Sequence, residues 1–369
     1  MGSDANKTFT LILEPVKRCN LRCVYCYSHT TSGGVMSRRT LQAALESAAR
    51  YAERQGFTQI HILWHGGEPL LAGLEFFRQA TKLAADLSSG PCFQHFLQTN
   101  GLLLDRDFCM FFREQNFQIG LSLDAFPALH DAMRVSADGR GSHKLVLDKL
   151  RLAEENGLRV GFNAVVTRMS LGREKEIYRY FQSLGSGFRV NPMIPAMNPA
   201  SAAPFLLRQG EYGVFLCRLL EEWIDTEVRR IPVSPLDLYL KAILENAPYE
   251  CQQRPTCVGS HLGVKPSGDA VLCSRFETHI LGNVHDMALE MLFASPLCDN
   301  IRRRAEVLTG CHSCVHWSVC HGGCPHNALA FYQDPMAKDY FCKDYQLIFG
   351  RMHRALTGLI EEKSGQNGP

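Results

Sequence analysis

The chain has 369 residues, 46% of them hydrophobic and 21% charged, with a formal net charge of +2. This is the balance of a globular protein with room for a sizeable core and two domains, and so small a charge argues against nucleic acid as the main partner. No apolar run reaches membrane-spanning length and the N-terminus lacks a signal-peptide pattern, so a cytoplasmic protein with no membrane partner is expected; its 15 cysteines are then better explained by metal ligation than by disulfides.

The first strand is expected at 9–13 (FTLIL), and directly after it Cys19, Cys23 and Cys26 stand in a C-x3-C-x2-C spacing. A [4Fe–4S] cluster normally takes four thiolates, so three leave one iron open to a non-protein ligand. Structural zinc wants four protein ligands. The loop offers only His29 besides its thiols, so zinc would need a distant partner.

A strand-then-helix rhythm follows, with helices expected at 38–55, 74–87, 106–115, 143–156 and 173–184 and strands at 59–64, 94–98, 118–123, 159–166 and 188–194. Alternation of this kind implies parallel strands with right-handed crossovers. Six units fall short of a closed eight-fold barrel, so the expected fold is α/β, a partial (β/α)6 TIM-like barrel. Its functional groups should gather at the C-terminal ends of the strands. The motifs obey that rule. Trp64-His65-Gly66-Gly67-Glu68-Pro69 follows the second strand, and its paired glycines allow close approach of backbone to a ligand. His65, a lone histidine at a strand end, reads more readily as structural than as pocket-facing. Gln98-Thr99-Asn100-Gly101 follows the third strand, Ser122-Leu123-Asp124 ends the fourth, and Arg134 comes shortly after.

The proline-rich segment 191–199 reads as the exit from the barrel, and 211–229 as a helix. Cys217, like Cys92, Cys109 and Cys298, has no cysteine at ligand spacing and is expected to be a buried hydrophobic residue. The remaining eight, Cys251, Cys257, Cys273, Cys311, Cys314, Cys320, Cys324 and Cys342, match the demand of two fully ligated [4Fe–4S] clusters. A zinc ribbon on Cys311, Cys314, Cys320 and Cys324 is the alternative, and it would strand the others. His312, His316, His321 and His326 are expected to be solvated or to support the thiols. The expected organisation is a start at 1–8 outside the fold, a barrel at 9–200, a helical connection at 201–245, a cysteine-rich domain at 246–350 and a C-terminal helix and tail at 351–369.

The cysteine loop, with Tyr25 before its last cysteine, resembles that of the radical S-adenosylmethionine (radical SAM) family, and Gly66-Gly67-Glu68-Pro69 resembles the family's GGEP motif. The resemblance implies that SAM occupies the open iron and yields a 5′-deoxyadenosyl radical. It implies SAM contacts from Tyr25, Gly66, Gly67, Glu68, Pro69, Gln98, Ser122, Asp124 and Arg134, with Arg134 on the SAM carboxylate. The C-terminal cysteines resemble the SPASM extension of peptide-modifying members. By that resemblance Cys251, Cys257, Cys273 and Cys324 hold a nearer auxiliary cluster and Cys311, Cys314, Cys320 and Cys342 an outer one, three [4Fe–4S] clusters in all. Closed clusters suit electron transfer, so a net two-electron oxidation of a peptide or protein substrate is expected, with a flavodoxin- or ferredoxin-like external electron donor.

Over almost the whole chain the resemblance is to anaerobic sulfatase-maturating enzymes and related SPASM peptide maturases. In the sulfatase maturases a catalytic aspartate follows the cysteine corresponding to Cys273; here Ser274 stands there, a poor base at neutral pH. Asp237, Asp269 and Glu277 are candidate substitutes, Asp237 foremost. The leading expectation is therefore a maturase that abstracts a β-hydrogen from a ribosomally made peptide and forms a cross-link, a cyclophane-type carbon–carbon bond being favoured. Formylglycine formation on Cys or Ser is the alternative, and an electron-transfer or scaffold protein without SAM turnover a third. The barrel starts within about ten residues of the N-terminus, so leader recognition is expected to fall to a separate binding protein or to direct reading of the core peptide.

Overall fold

The computed structural model describes residues 8–28, 33–87, 90–195 and 199–365, with side chains to 357. His29, most of the 1–8 start and the middle of the proline-rich segment lie outside the described residues. The chain forms two compact units that do not follow chain order: one holds residues up to Ala164 together with Cys257–Arg302, the other Val165–Pro195, Ala203–Thr256 and everything from Arg303 on.

In the first unit β1 (Thr8–Leu13), α1 (Arg38–Gln55), β2 (Gln59–Trp64), α2 (Leu74–Asp86), β3 (Cys92–Thr99), α3 (Arg106–Glu114), β4 (Gln118–Ser122), α4 (Pro127–Met133), α5 (His143–Glu155) and β5 (Val160–Val166) succeed one another. Apolar periodicity decides these elements. In α1, Leu41, Ala44, Leu45, Ala48 and Ala52 form the buried stripe; Ser37 caps its start by accepting from the Thr40 amide, and Gly56, at φ 73°, ends it. The β5 strand spans both units, its last two residues belonging to the second.

Strands β1 to β5 run parallel in consecutive order, as the alternation of strands and helices requires. The unit also recruits a late segment. The strand β8 (His261–Val264) pairs parallel to β1 on its other side, followed by antiparallel β9 (Asp269–Val271) and β10 (Ile280–Asn283). These three strands lie among the cysteine-rich residues, where metal-ligand spacing masks the period-2 signal. The second unit holds α6 (Glu174–Leu184), β6 (Phe188–Pro192), a two-residue β7 (Val233–Ser234) parallel to β6, and the helices Glu211–Asp225, Leu236–Glu245, Pro325–Tyr332 and Cys342–Gly365. The helix expected to reach residue 229 stops at Asp225, before the run Thr226–Arg230, whose one apolar residue, Val228, is exposed and offers no stripe to bury.

Of the four cysteines read as buried hydrophobics, Cys109 and Cys298 are fully buried. Cys217 is half-buried, and Cys92, at the outer end of β3, is exposed.

Candidate functional site

The cysteine loop leaves β1 and is gripped on two sides. On one, the Gly67 and Glu68 amides donate to the Val16 and Arg18 carbonyls at 3.2 and 2.8 Å. Gly67 has no room for a side chain: a Cβ there would stand 2.1 Å from the Arg18 carbonyl oxygen. Gly66 adopts φ 111°, where L side chains are strained. The Gly67 and Glu68 amides are thus used to hold the loop. On the other side the Arg22 and Val24 amides donate to Val135 and Met133 at 2.7 and 2.8 Å.

Glu68 is buried and its carboxylate is turned toward the protein. It accepts from Thr99 Oγ1 at 2.6 Å, the Leu70 amide at 3.1 Å and the Asn100 amide at 2.8 Å. Burial pushes its pKa up to about 7 against those three bonds. Pro69 opens the short 3-10 turn that Glu68 caps. Through Glu68 the loop after β2 is tied to the loop after β3, whose Asn100 reaches Asn20 Oδ1 at 2.7 Å and lies 3.8 Å from Cys19 Sγ.

Tyr25, Asp124 and Arg134 form one buried cluster. Arg134 Nε and Nη2 donate to the two Asp124 oxygens at 3.0 and 3.3 Å, the Tyr25 hydroxyl donates to Asp124, and the guanidinium lies 5.3 Å from the Tyr25 ring centre. The Asp124 amide donates to His130 Nδ1 at 3.2 Å, whose other nitrogen is 2.9 Å from Ser142 Oγ. The bidentate partner of Arg134 is thus Asp124, and the Tyr25 hydroxyl ties the pair to the cysteine loop. The three thiols are buried enough that the pKa of Cys19 rises to about 11 and that of Cys23 to about 12, with Cys26 also raised; metal binding there must displace protons.

Gln98 and Ser122 come together as a second group. Gln98 Nε2 donates to Ser122 Oγ at 2.8 Å, and Gln98 Oε1 accepts from Asn163 on β5. The Gln98 side chain crosses over β4 to reach Asn163. The crossing exists because the β4 residue beneath it is Gly120: a Cβ there would lie 2.5 Å from Gln98 Oε1 and 3.0 Å from Asn163 Nδ2. Asn163 is absent from the sequence reading because no motif spacing marks it.

Ser274 lies against the cysteine loop, hydrogen-bonded to the Tyr27 hydroxyl with Cys273 and Arg275 close by. Glu277 is buried, paired with Lys17 and within electrostatic reach of Cys26 and His65. Burial lowers the His65 pKa to about 4, so its ring is neutral at pH 7. Asp269 sits in the β9 turn with Ser267 and Asn283. Asp237, in the second unit, accepts from the Leu238 amide at 2.8 Å and bonds Ser234 beside the Arg189–Glu250 ion pair; burial raises its pKa. It is the second residue of its helix and the acidic residue of that helix's first turn. Of the three carboxylates only Glu277 adjoins the cysteine loop within its unit.

In the second unit Cys311, Cys314, Cys320 and Cys342 line one cavity of about 280 Å³ with His316, Trp317 and Lys338. Cys324 is not among its walls. The four thiols converging on one space fit a four-thiolate cluster better than the zinc ribbon drawn through Cys324. The Cys320–Cys324 turn is held from behind: Arg304 donates to the Gly323 and Gly322 carbonyls at 2.7 and 2.9 Å, and Asp339 accepts from the Cys324 amide at 2.6 Å. His312 and His321 bond main-chain carbonyls at 2.8 and 2.9 Å and flank Trp317. These histidines support the thiol loops.

A three-thiol loop clamped at the C-terminal ends of parallel strands, with four thiols converging elsewhere, defines an iron–sulfur enzyme that uses SAM. Residues 13–180 match the radical SAM superfamily and residues 251–315 the iron-sulfur cluster-binding SPASM domain, and the chain belongs to that family as a radical SAM enzyme with a SPASM extension. Its cofactors are [4Fe–4S] clusters and SAM. It is 26% identical to the serine-type anaerobic sulfatase-maturating enzyme of Bacteroides thetaiotaomicron over 98% of this chain and 94% of the relative. It is 24% identical to the cysteine-type enzyme of Clostridium novyi over 95% and 97%. Among solved structures, native anSMEcpe with bound AdoMet superposes with a TM-score of 0.84 at 24% identity, covering 95% of this chain and 98% of that one. Streptococcus suis SuiB bound to its precursor peptide SuiA gives 0.67 at 18%, covering 92% and 76%. These likenesses establish the fold as an open partial α/β barrel with a SPASM domain.

Proposed function

We propose that the chain oxidises a cysteine or serine side chain of a peptide or protein substrate at its β-carbon, giving an aldehyde, the reaction type of the sulfatase-maturating relatives. Similarity to both the serine-type and the cysteine-type enzymes over nearly the full chain carries this reading, because it spans the barrel and the cysteine-rich half alike. It takes precedence over the cross-link favoured by the sequence alone.

In this reading Cys19, Cys23 and Cys26 hold the SAM-binding cluster. Cys251, Cys257, Cys273 and Cys324 hold one auxiliary cluster and Cys311, Cys314, Cys320 and Cys342 the other. Bound there, the cluster and SAM supply a carbon radical able to take a hydrogen atom from substrate. The protein's part is positional. Gln98 and Ser122, braced by Asn163, present an amide and a hydroxyl to the cofactor, while Gly67 and the Asp124–Arg134 pair fix the thiol loop. Oxidation of the β-carbon would take one hydrogen atom to the carbon radical, one proton from the thiol or hydroxyl to Glu277, the carboxylate adjoining the loop, and one electron to an auxiliary cluster; a serine gives the aldehyde directly, and for a cysteine water then replaces the sulfur, which leaves as sulfide. A flavodoxin- or ferredoxin-like carrier is the external electron donor, and a separate leader-binding protein serves the substrate if it carries a leader.

Ser274 supports a second reading. Its hydroxyl, bonded to Tyr27, stands where the sulfatase maturases are expected to carry an aspartate. Without that base, a β-carbon radical that attacks an aromatic ring would give a cyclophane-type cross-link, again with two electrons removed. Mass spectrometry with a hydrazine probe separates the two. Anaerobic turnover of Cys- or Ser-containing sulfatase peptides should yield a hydrazine-reactive aldehyde. Loss of two hydrogens from an aromatic-rich peptide, with no hydrazine adduct, would favour the cross-link and overturn the first reading.

A further inference from the structure

Gln253 closes the single 3-10 turn Cys251–Gln253. Its side chain is completely buried. Neither Oε1 nor Nε2 has a hydrogen-bond partner among the described residues, and the Glu250 Oε1 atom on the other side of Cys251 is unmatched as well. The main chain around it is well satisfied: the Gln253 amide donates to Glu250 at 3.0 Å, and its carbonyl accepts from His321 Nδ1 at 2.9 Å. The adjacent Gln252 donates its own side-chain amide to Tyr239 Oη at 3.1 Å. A loosely placed surface glutamine would turn to water. This one is sealed in with a donor and an acceptor both idle, which folded proteins avoid unless a further group completes the site.

The location names that group. Gln253 lies two residues from Cys251, and the histidine that holds its carbonyl is the residue between Cys320 and the turn leading to Cys324. We propose that the Gln253 side-chain amide donates an N–H to a sulfur of the auxiliary [4Fe–4S] cluster held by Cys251 and Cys324, and so sets that cluster's reduction potential. This rests on the ligand set given under the proposed function. A hydrogen bond to a cluster sulfur draws off negative charge and favours the reduced state. A neutral amide does so without adding a formal charge, and the raised potential suits a cluster that must accept an electron from substrate. Gln253 is thus a positioning and tuning residue, distinct from the thiol ligands.

The test uses the full chain, reconstituted anaerobically, with iron and sulfide counted and each cluster couple followed by EPR in a redox titration. Gln253→Leu keeps the volume and removes the donor. With unchanged iron content, one auxiliary couple should move to lower potential by a tenfold change in its oxidised-to-reduced ratio, about 59 mV for one electron; the other couples should stay in place. Full iron content with every couple at its wild-type potential would overturn the proposal, leaving Gln253 a packing or water-binding residue. Wild-type protein with iron for the SAM-binding cluster alone would overturn the ligand set itself, a different result. Should Gln253→Leu fail to fold, pulsed EPR on wild-type chain labelled with side-chain ¹⁵N-glutamine decides: a hyperfine coupling from one glutamine nitrogen to a reduced auxiliary cluster supports the hydrogen bond, and its absence refutes it.

Discussion

Replacing Arg134 by Met tests whether the Asp124–Arg134 pair is an anchor of the cysteine loop or a cofactor contact. Both side chains are at least nine-tenths buried, at 9% and 4% exposure, and two N–H···O bonds of 3.0 and 3.3 Å join them. Taking away the guanidinium leaves the buried carboxylate without its cation, beside the Tyr25 hydroxyl. Breaking a buried pair in this way costs about 3–5 kcal/mol, whereas replacing both partners by neutral side chains is often close to neutral. Arg134→Met and Asp124→Asn should therefore each destabilise the cluster-free chain strongly, and the double variant should recover most of the loss. Because the two units need not unfold together, the assay is hydrogen exchange at the Arg22 and Val24 amides, which bond Val135 and Met133 and so report the loop directly. Protection there should fall by about two orders of magnitude or more in each single variant. Wild-type protection in Arg134→Met, together with weakened SAM binding, would refute the anchor and restore Arg134 as a direct partner of SAM.

Three further outcomes are expected. Gly67→Ala drives a Cβ into the Arg18 backbone, which has no rotamer to yield, so iron analysis and EPR should show loss of the SAM-binding cluster with auxiliary iron retained. Asn163→Ala frees the Gln98 amide from one of its two partners; at about 1 kcal/mol per hydrogen bond, calorimetry should find SAM binding about fivefold weaker with cluster content unchanged. Glu68 keeps its proton in the folded chain up to about pH 7 but loses it near the ordinary carboxylate value of 4.5 when unfolded. The folded state thus holds the extra proton between those values, so stability should fall as pH rises through that window, by up to about 3 kcal/mol, and level off above it. Urea midpoints at pH 5 and 8 measure the change, and Glu68→Gln should flatten it.

The barrel strands and helices were legible because each buries one regular stripe: β2 and α1 occupy the residues that periodicity predicts, and most other ends agree within a residue or two. Strands β8 to β10 were not, since they are short and interleaved with cysteines whose spacing answers to metal rather than to a sheet. Site residues divide in the same way. Cys19, Cys23, Cys26 and the Gly66-Gly67 turn announce themselves by local spacing. Asn163, Asp339 and Gln253 carry no such mark, because their partners are distant in sequence or are not protein.

The sequence by itself determined the class of chemistry: three thiols in one loop, eight more downstream, and a Gly-Gly turn at a strand end are local patterns that cluster binding demands. Only the tertiary structure decided what each polar side chain of these motifs does. Arg134 meets Asp124, Glu68 meets Thr99 and Asn100, and Gln98 reaches Asn163 across Gly120. Buried polar groups must find partners, and which partner is in reach is set by strand register and loop packing, properties that no single segment contains.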